Sequence, residues 1–368
     1  MSIAHRAQRV RARLAAADVD ALLLNDLTNI RWVTGFTGSN GWVVLDRTGD
    51  GLTLVTDGRY GQQAAAQMAA AGVEGVVLVG ATGADTQAHL AALCAPHARV
   101  GFEAEHVTFA QHARWAGAFQ TDLRPTHGIV EAERRVKDAG EIEAMARACA
   151  IADQALAEVV PHLEGLTEAE ARNRLETRMR ELGATGPSYE TIVATGPVNA
   201  ALPHHRPTDT VIESGHTVII DVGALVGGYH SDMTRTFVVG DPTPLQQALY
   251  DLVLLAQQAG VAAVKAGMSV KELDGVCRGI ITEAGYGDWF THGTGHGVGL
   301  LIHEDPFVNR AGDAILQVGD VVTVEPGVYR DGFGGVRVED LVVVTEDGCR
   351  VLTASPKDSP CLPSPPTT

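Results

Sequence analysis

Two short stretches of this chain each carry a pair of acidic residues at mirrored distances from a glycine turn. The first, HTVIIDVGALVGGYHSDMTRTFVVG (216–240), holds Asp221 and Asp232. The second, VGDVVTVEPGVYRDGFGGVRVEDLVVVT (318–345), holds Glu325 and Glu339. Facing residues of an antiparallel hairpin have a constant position sum, so the first pair centres on Val226/Gly227 and the second on Gly332. Each pair is therefore expected on opposing strands and on one face, with Cβ atoms about 5 Å apart. The surroundings are apolar: Val218-Ile219-Ile220 before Asp221, Val321-Val322-Thr323-Val324 before Glu325, and Leu341-Val342-Val343-Val344 after Glu339. Acids so embedded are normally buried. A buried charge without compensation costs several kcal/mol or more. Bound cations are the simplest remedy.

A fifth donor is at hand. The segment THGTGHGVGL (291–300) places His296 among glycines that let the backbone pass close to a centre. Four carboxylates balance two divalent cations. Many oxygens and one imidazole suit Mn2+, Co2+, Fe2+ or Zn2+, with Mn2+ favoured for a hard, oxygen-rich site. Two such ions about 3.5–4 Å apart would share a water that ionises near neutral pH, the arrangement of co-catalytic hydrolases. Arg337, two residues before Glu339, falls on the same strand face, where it orients a ligand carboxylate or holds a carboxylate of the substrate.

These residues need a scaffold, and the patterns along the chain describe one. Residues 1–130 alternate helical and strand-like segments, as α/β domains do. Strands are expected at 21–24, 41–45, 52–56 and 76–79, and helices at 3–17, 60–71 and 86–95. No glycine-rich phosphate fingerprint follows a strand. Polar residues 131–137 read as a linker. Residues 138–354 then contain a pattern that occurs twice: a long helix (138–160, then 244–265), a second helix opened by a capping box (Thr167/Glu170, then Ser269/Glu272), and an acidic hairpin. The boxes lie 102 positions apart and Asp221 and Glu325 lie 104 apart, which implies duplicated α/β halves related by a pseudo-twofold. The proline-rich tail 355–368 is expected to lack fixed structure beyond its first few residues.

Composition narrows the functions. The 368 residues carry a formal net charge of −17, which disfavours nucleic acid and anionic membrane surfaces as partners. Hydrophobic residues make up 45% and aromatics only 5%, so the cores are mainly aliphatic. Five scattered cysteines without a CxxC spacing point to a reducing compartment. The absence of a signal-like segment and of a long apolar run gives the expectation of a soluble cytoplasmic protein.

The blocks ALPHH, VIIDVGALVGGYHSDMTRTF, HGTGHGVGLLIHEDP, VVTVEPGVY and GGVRVEDLVVV resemble those of the pita-bread metallopeptidases, and more narrowly Xaa-Pro dipeptidase (prolidase) and aminopeptidase P. The stretches NIRWVTGFTGSNGWVVL and LTLVTDGRY are also similar to that subfamily. The resemblance implies that Asp221, Asp232, His296, Glu325 and Glu339 ligate two metal ions. In it Asp232 and Glu339 bridge, Asp221 completes one shell, His296 and Glu325 complete the other, and Glu325 takes a proton from the attacking water. It also implies that His204 and His303 contact substrate near the scissile bond and that His292 lies close to the substrate, while His205 is structural. Further implications are a small proline-containing peptide as substrate and a homodimer. Tyr229, Phe237, Leu300 and Val328 are candidates for the proline slot. Asn29 stands where some aminopeptidases P have an aspartate beside the substrate amine, a departure that leans toward Xaa-Pro dipeptidase. Aminopeptidase P remains the alternative, and a non-catalytic binding protein on the same fold is a third, which the intact ligand set disfavours.

Overall fold

The structure, a computed structural model, describes residues 3–49 and 51–363. The chain divides between Arg134 and Arg135 into two compact units.

The first unit is built on a six-stranded sheet. Its strands in chain order are Ala21–Leu24, Trp42–Asp46, Leu52–Asp57, Gly75–Gly80, Arg99–Glu103 and Asp122–Thr126, and their order across the sheet is fourth, third, second, first, fifth, sixth. The first three pair antiparallel and the remaining pairings are parallel. Parallel neighbours need crossovers. Helices Gly61–Ala70 and Phe109–Ala118 supply them for the third-to-fourth and fifth-to-sixth strands. The first four strands are those expected from the sequence. The last two, RVGFE and DLRPT, are short and carry charges, so periodicity does not reveal them. Helix Leu27–Thr34 is rich in poor helix formers. Its ends explain it: Asp26 accepts a hydrogen bond from Thr28 N, and Gly35 closes the last turn at φ 76°.

Asn29 lies on that helix and is fully buried within the first unit. Its Nδ2 donates to Glu103 Oε1 (2.6 Å) and Glu131 Oε1 (2.5 Å), and its Oδ1 accepts from Arg134 Nη1 (2.7 Å). The expected kinship with a substrate-facing aspartate is therefore corrected: in this fold Asn29 is an interior polar hub. Glu103 also accepts from the backbone amides of Asn25 and Asp26.

The second unit shows the doubled pattern. Helices Ala139–Val159 and Glu168–Glu181 lead to the strands Ile192–Thr195, Thr217–Asp221 and Thr234–Val238. Helices Pro244–Ala263 and Val270–Glu283 lead to Gly295–Gly297, Val321–Val324 and Asp340–Val344. In both halves the middle strand of these three is sandwiched antiparallel between the other two. Both anticipated capping boxes form: Thr167 with Glu170, and Ser269 with Glu272. Each half has its own aliphatic core, one including Leu156, Leu175, Val218 and Ile220, the other Val253, Leu273, Val322 and Val342. Each such side chain contributes roughly 1.5–3 kcal/mol on burial. No helix among the described residues is long and apolar enough to cross a membrane.

The expectation that the tail lacks structure beyond its first few residues is corrected as far as Leu362. Ser355 O accepts from Arg235 Nε and Nη2, Lys357 O accepts from the Tyr250 hydroxyl, and Pro360 O accepts from Val238 N. Leu362 packs on the first core. Proline-rich composition hid these contacts because they are donated by the rest of the unit, not by the tail's own periodicity. Residues 364–368, the remainder of that expected tail, lie outside the described residues.

Burial pushes the Glu103 carboxyl up to about 7, against the pull of its hydrogen bonds from Asn29 and the two amides. A raised folded value means that the protonated form stabilises the fold: the contribution is complete below pH 4.5 and is lost as pH rises through about 7. Denaturant titrations of the wild type should therefore show a fall in stability between pH 5 and 8 that exceeds the fall in Glu103→Gln by on the order of 2 kcal/mol. Parallel pH profiles for the two proteins would exclude this role.

Candidate metal centre

The structure brings the four acids and His296 together at the mouth of the two acidic hairpins. One oxygen each of Asp221, Asp232 and Glu339 lie within 4.8 Å of one another. His296 Nε2 is 3.5 Å from Asp232 Oδ2 and 3.4 Å from Glu325 Oε1. The His296 Nδ1–H donates to Gly297 O (3.1 Å), which leaves Nε2 as the lone-pair nitrogen facing the acids. All five residues line one cavity of about 570 Å3.

The two hairpins present their acids differently. In the second, the paired residues Val324/Asp340 and Gly327/Arg337 keep the expected position sum about Gly332, and Glu325 and Glu339 lie in the break between them, where the Glu325 amide bonds Thr294 O and the Glu339 amide bonds Thr234 O. In the first, Asp221 faces Thr234, and the turn is Gly227-Gly228 between Val226 and Tyr229. The expected Asp221/Asp232 pairing is thus off by two positions. The reason is local: both turn glycines take positive φ (58° and 85°), which moves the hairpin's centre one residue toward the C-terminus. The two aspartates still converge, because Asp232 lies beyond the end of the strand Thr234–Val238, in a break that turns its side chain toward Asp221.

Such crowding is costly without a counter-charge. Asp232 is 5% and Glu339 1% exposed. Burial, reinforced by the neighbouring carboxylates, drives both well above the usual carboxylate range. The protein supplies partial relief. The Tyr189 hydroxyl lies within hydrogen-bond reach of both Asp221 Oδ1 and Asp232 Oδ1, which share its single proton. Burial first, and then these two acids, push its phenol well up, so it remains a donor. Thr234 donates to Glu339 Oε2 (2.7 Å) and Thr323 to Glu325 Oε1 (3.0 Å). Arg337, 2% exposed, donates to Asp221 Oδ2 (2.8 Å), Thr234 Oγ1 (2.9 Å), Pro203 O (3.1 Å) and the Tyr329 hydroxyl (2.7 Å). Behind the site, the fully buried Arg235 holds Thr234 O and Glu339 O and pairs with Asp340 (2.9 Å). One guanidinium facing four carboxylates leaves the set strongly anionic, and its hard oxygens with one imidazole fit divalent cations.

The remaining sequence candidates occupy distinct places. His204 and His303 are exposed and line the cavity, with the His303 ring centroid 4.4 Å from that of His296. His292 also lines it, but both ring nitrogens are engaged: Nδ1 with Gly293 O (2.7 Å) and Nε2 with the Tyr329 hydroxyl (3.0 Å). The geometry of Arg337 favours the orienting alternative over a substrate carboxylate, since four of its five N–H donors are already committed. His205 is buried against Glu168. The proposed proline-slot residues are corrected: Tyr229 bonds Glu141, Phe237 and Val328 belong to the cores, and none of the four, Leu300 included, is among the residues lining the cavity. Its apolar lining comes instead from Pro203, Ile192, Ile302 and Phe307. Sequence reasoning missed Tyr189, Thr234 and Arg235. Tyr189 in Pro187-Ser188-Tyr189-Glu190 carries no periodic or charge signal, whereas Thr234, two after Asp232, could have been found from its strand face.

The family models agree with this geometry. Residues 143–346 match "Metallopeptidase family M24", and residues 6–136 match "Creatinase/Prolidase N-terminal domain". A Bacillus subtilis (strain 168) protein named as an uncharacterized peptidase, YqhT, is 39% identical over 95% of this chain and 98% of its own. Among solved structures, an Xaa-Pro dipeptidase from Bacillus anthracis is 38% identical, with a TM-score of 0.93 over 98% of this chain and all of that one. An X-Pro aminopeptidase from Thermotoga maritima is 33% identical, with a TM-score of 0.86 over 96% of this chain and 99% of that one. With a matching model over most of the second unit and a full-length relative, this chain belongs to the M24 metallopeptidases, as a hydrolase of the prolidase and aminopeptidase P type.

Proposed function

We propose that the protein is an Xaa-Pro dipeptidase that hydrolyses the peptide bond ahead of proline at a centre of two divalent cations, Mn2+ being the favoured metal. The observation that carries this reading is the convergence of four acids and His296 on one cavity with too little protein cation to neutralise them. Asp221, Asp232, His296, Glu325 and Glu339 would hold the cations. When bound, these would supply Lewis acidity toward the substrate carbonyl and an acidified water. Glu325, the most exposed acid of its hairpin pair, is the group assigned to accept the proton of the attacking water. His204 and His303 reach the cavity from separate segments and donate to the oxygen that gains charge as the carbonyl becomes tetrahedral. An Xaa-Pro bond has no amide hydrogen, so the site needs no acceptor there. Ile302 and Phe307 offer an apolar wall for the ring.

A second reading is retained because a specific likeness favours it: aminopeptidase P, since the similar Thermotoga maritima structure is named an X-Pro aminopeptidase. The two differ in one assay. Purified protein supplied with Mn2+ should cleave an Xaa-Pro dipeptide faster than an Xaa-Pro-Yaa tripeptide. Cleavage of the tripeptide alone would overturn the dipeptidase assignment. For the metal site, Asp232→Ala should lower kcat/KM by at least three orders of magnitude and reduce the divalent metal retained after gel filtration, measured by elemental analysis, because Asp232 would be one of the carboxylates that hold the cations. Turnover at the wild-type rate in that variant would refute the site.

A further inference from the structure

The loop that carries His204 sends its next two side chains in opposite directions. His205 points inward, with Nε2 2.8 Å from Glu168 Oε2. Glu168, fully buried at the start of its helix, also accepts from Thr208 N (2.9 Å), Thr208 Oγ1 (2.8 Å), Thr195 N (2.7 Å) and Asn199 Nδ2 (3.0 Å). One buried carboxylate therefore staples the whole 195–208 segment. Pro203 O is further fixed by Arg337. A loop held this firmly presents its outward side chains in a defined place.

Arg206 is one of those. Its side chain is 81% exposed, and it lines the same cavity as the candidate metal ligands. Its ion-pair partner is Glu190 Oε2 at 3.5 Å, and Glu190 is shared with Arg172 Nη1 at 3.4 Å. The other arginine lining the cavity, Arg337, has four of its five N–H donors committed to Asp221 and its neighbours. A dipeptide ending in proline carries a carboxylate on the ring carbon next to the scissile nitrogen. That anion enters a cavity whose lining includes five acids together with the apolar side chains of Ile302 and Phe307. It needs a cation that is free to turn toward it, and a guanidinium binds carboxylate in a two-point fork.

We propose that Arg206 reads the C-terminal carboxylate of the substrate and so determines the preference for dipeptides. Glu190 holds the guanidinium at the rim until the substrate displaces it. This rests on the peptidase reading above. The test compares an Xaa-Pro dipeptide with its C-terminal amide, in wild type and in Arg206→Gln and Arg206→Lys, all supplied with Mn2+. Because Arg206 is exposed, the substitutions leave the folded core untouched. In the wild type the acid should be preferred over the amide. In Arg206→Gln the ratio of kcat/KM for acid over amide should fall roughly tenfold, mainly through KM for the acid, and Arg206→Lys should restore part of it. An unchanged ratio in Arg206→Gln, in an enzyme whose wild type cleaves the dipeptide, overturns the role of Arg206 and leaves the dipeptidase reading standing. A wild type that cleaves neither acid nor amide overturns that reading, and this inference with it.

Discussion

Mutual repulsion among buried carboxylates is the constraint around which the second unit is organised. Asp221, Asp232 and Glu339 converge within 4.8 Å, with Glu325 joined to them through His296. No arrangement of neutral side chains repays that arrangement, because a hydroxyl donor offsets a fraction of what desolvation costs an anion. The surrounding structure reads as a graded response. Tyr189, Thr234 and Thr323 each lend a hydroxyl, Arg337 lends one guanidinium, and the residual negative charge suits divalent cations.

The same constraint explains why so much polar matter lies behind the site. Arg235 and Asp340 flank the ligand strands as a buried ion pair, and Lys357 and Gln257 complete the shell of Asp340. The pair's contribution to net stability is small by itself, since desolvation offsets attraction. Its value is geometric: Arg235 bonds the carbonyls of Thr234 and Glu339 and so fixes the backbone from which one acid and its hydroxyl partner project. The tail between Ser355 and Leu362 joins this layer by accepting Arg235 and covering the first core. A segment that looks dispensable in composition thus closes the back of the site.

Chemistry in this unit depends on loops made rigid by buried charge. Glu168 anchors the segment before the strand Thr217–Asp221, and Asp274 with Arg278 does the same in the second half. There Asp274 accepts from Thr294 N and Oγ1, and Arg278 donates to Phe290 O and His292 O. Histidines 204, 292 and 296 all sit on or beside these clamped segments. Groups that must act in concert on one bond need placement to within about 0.5 Å, which glycine-rich loops cannot provide unaided.

The doubled architecture, the helices with their capping boxes, the identity of the acids and the choice of His296 were all legible in the sequence. They depend on local rules: apolar runs around an acid, a Thr or Ser three residues before a Glu or Gln, and an antiparallel pair centred on glycine. The register of the first hairpin was not legible. Two consecutive left-handed glycines shifted its centre, and either choice of centre satisfied the same pattern. Tyr189, Arg235, the burial of Asn29 and the apolar wall of Ile302 and Phe307 were also decided only by the tertiary structure. Each depends on contacts between segments far apart in the chain, and such contacts leave no periodic trace at either end. Sequence alone determined which charges must be gathered; the folded chain decided which neighbours make that gathering tolerable.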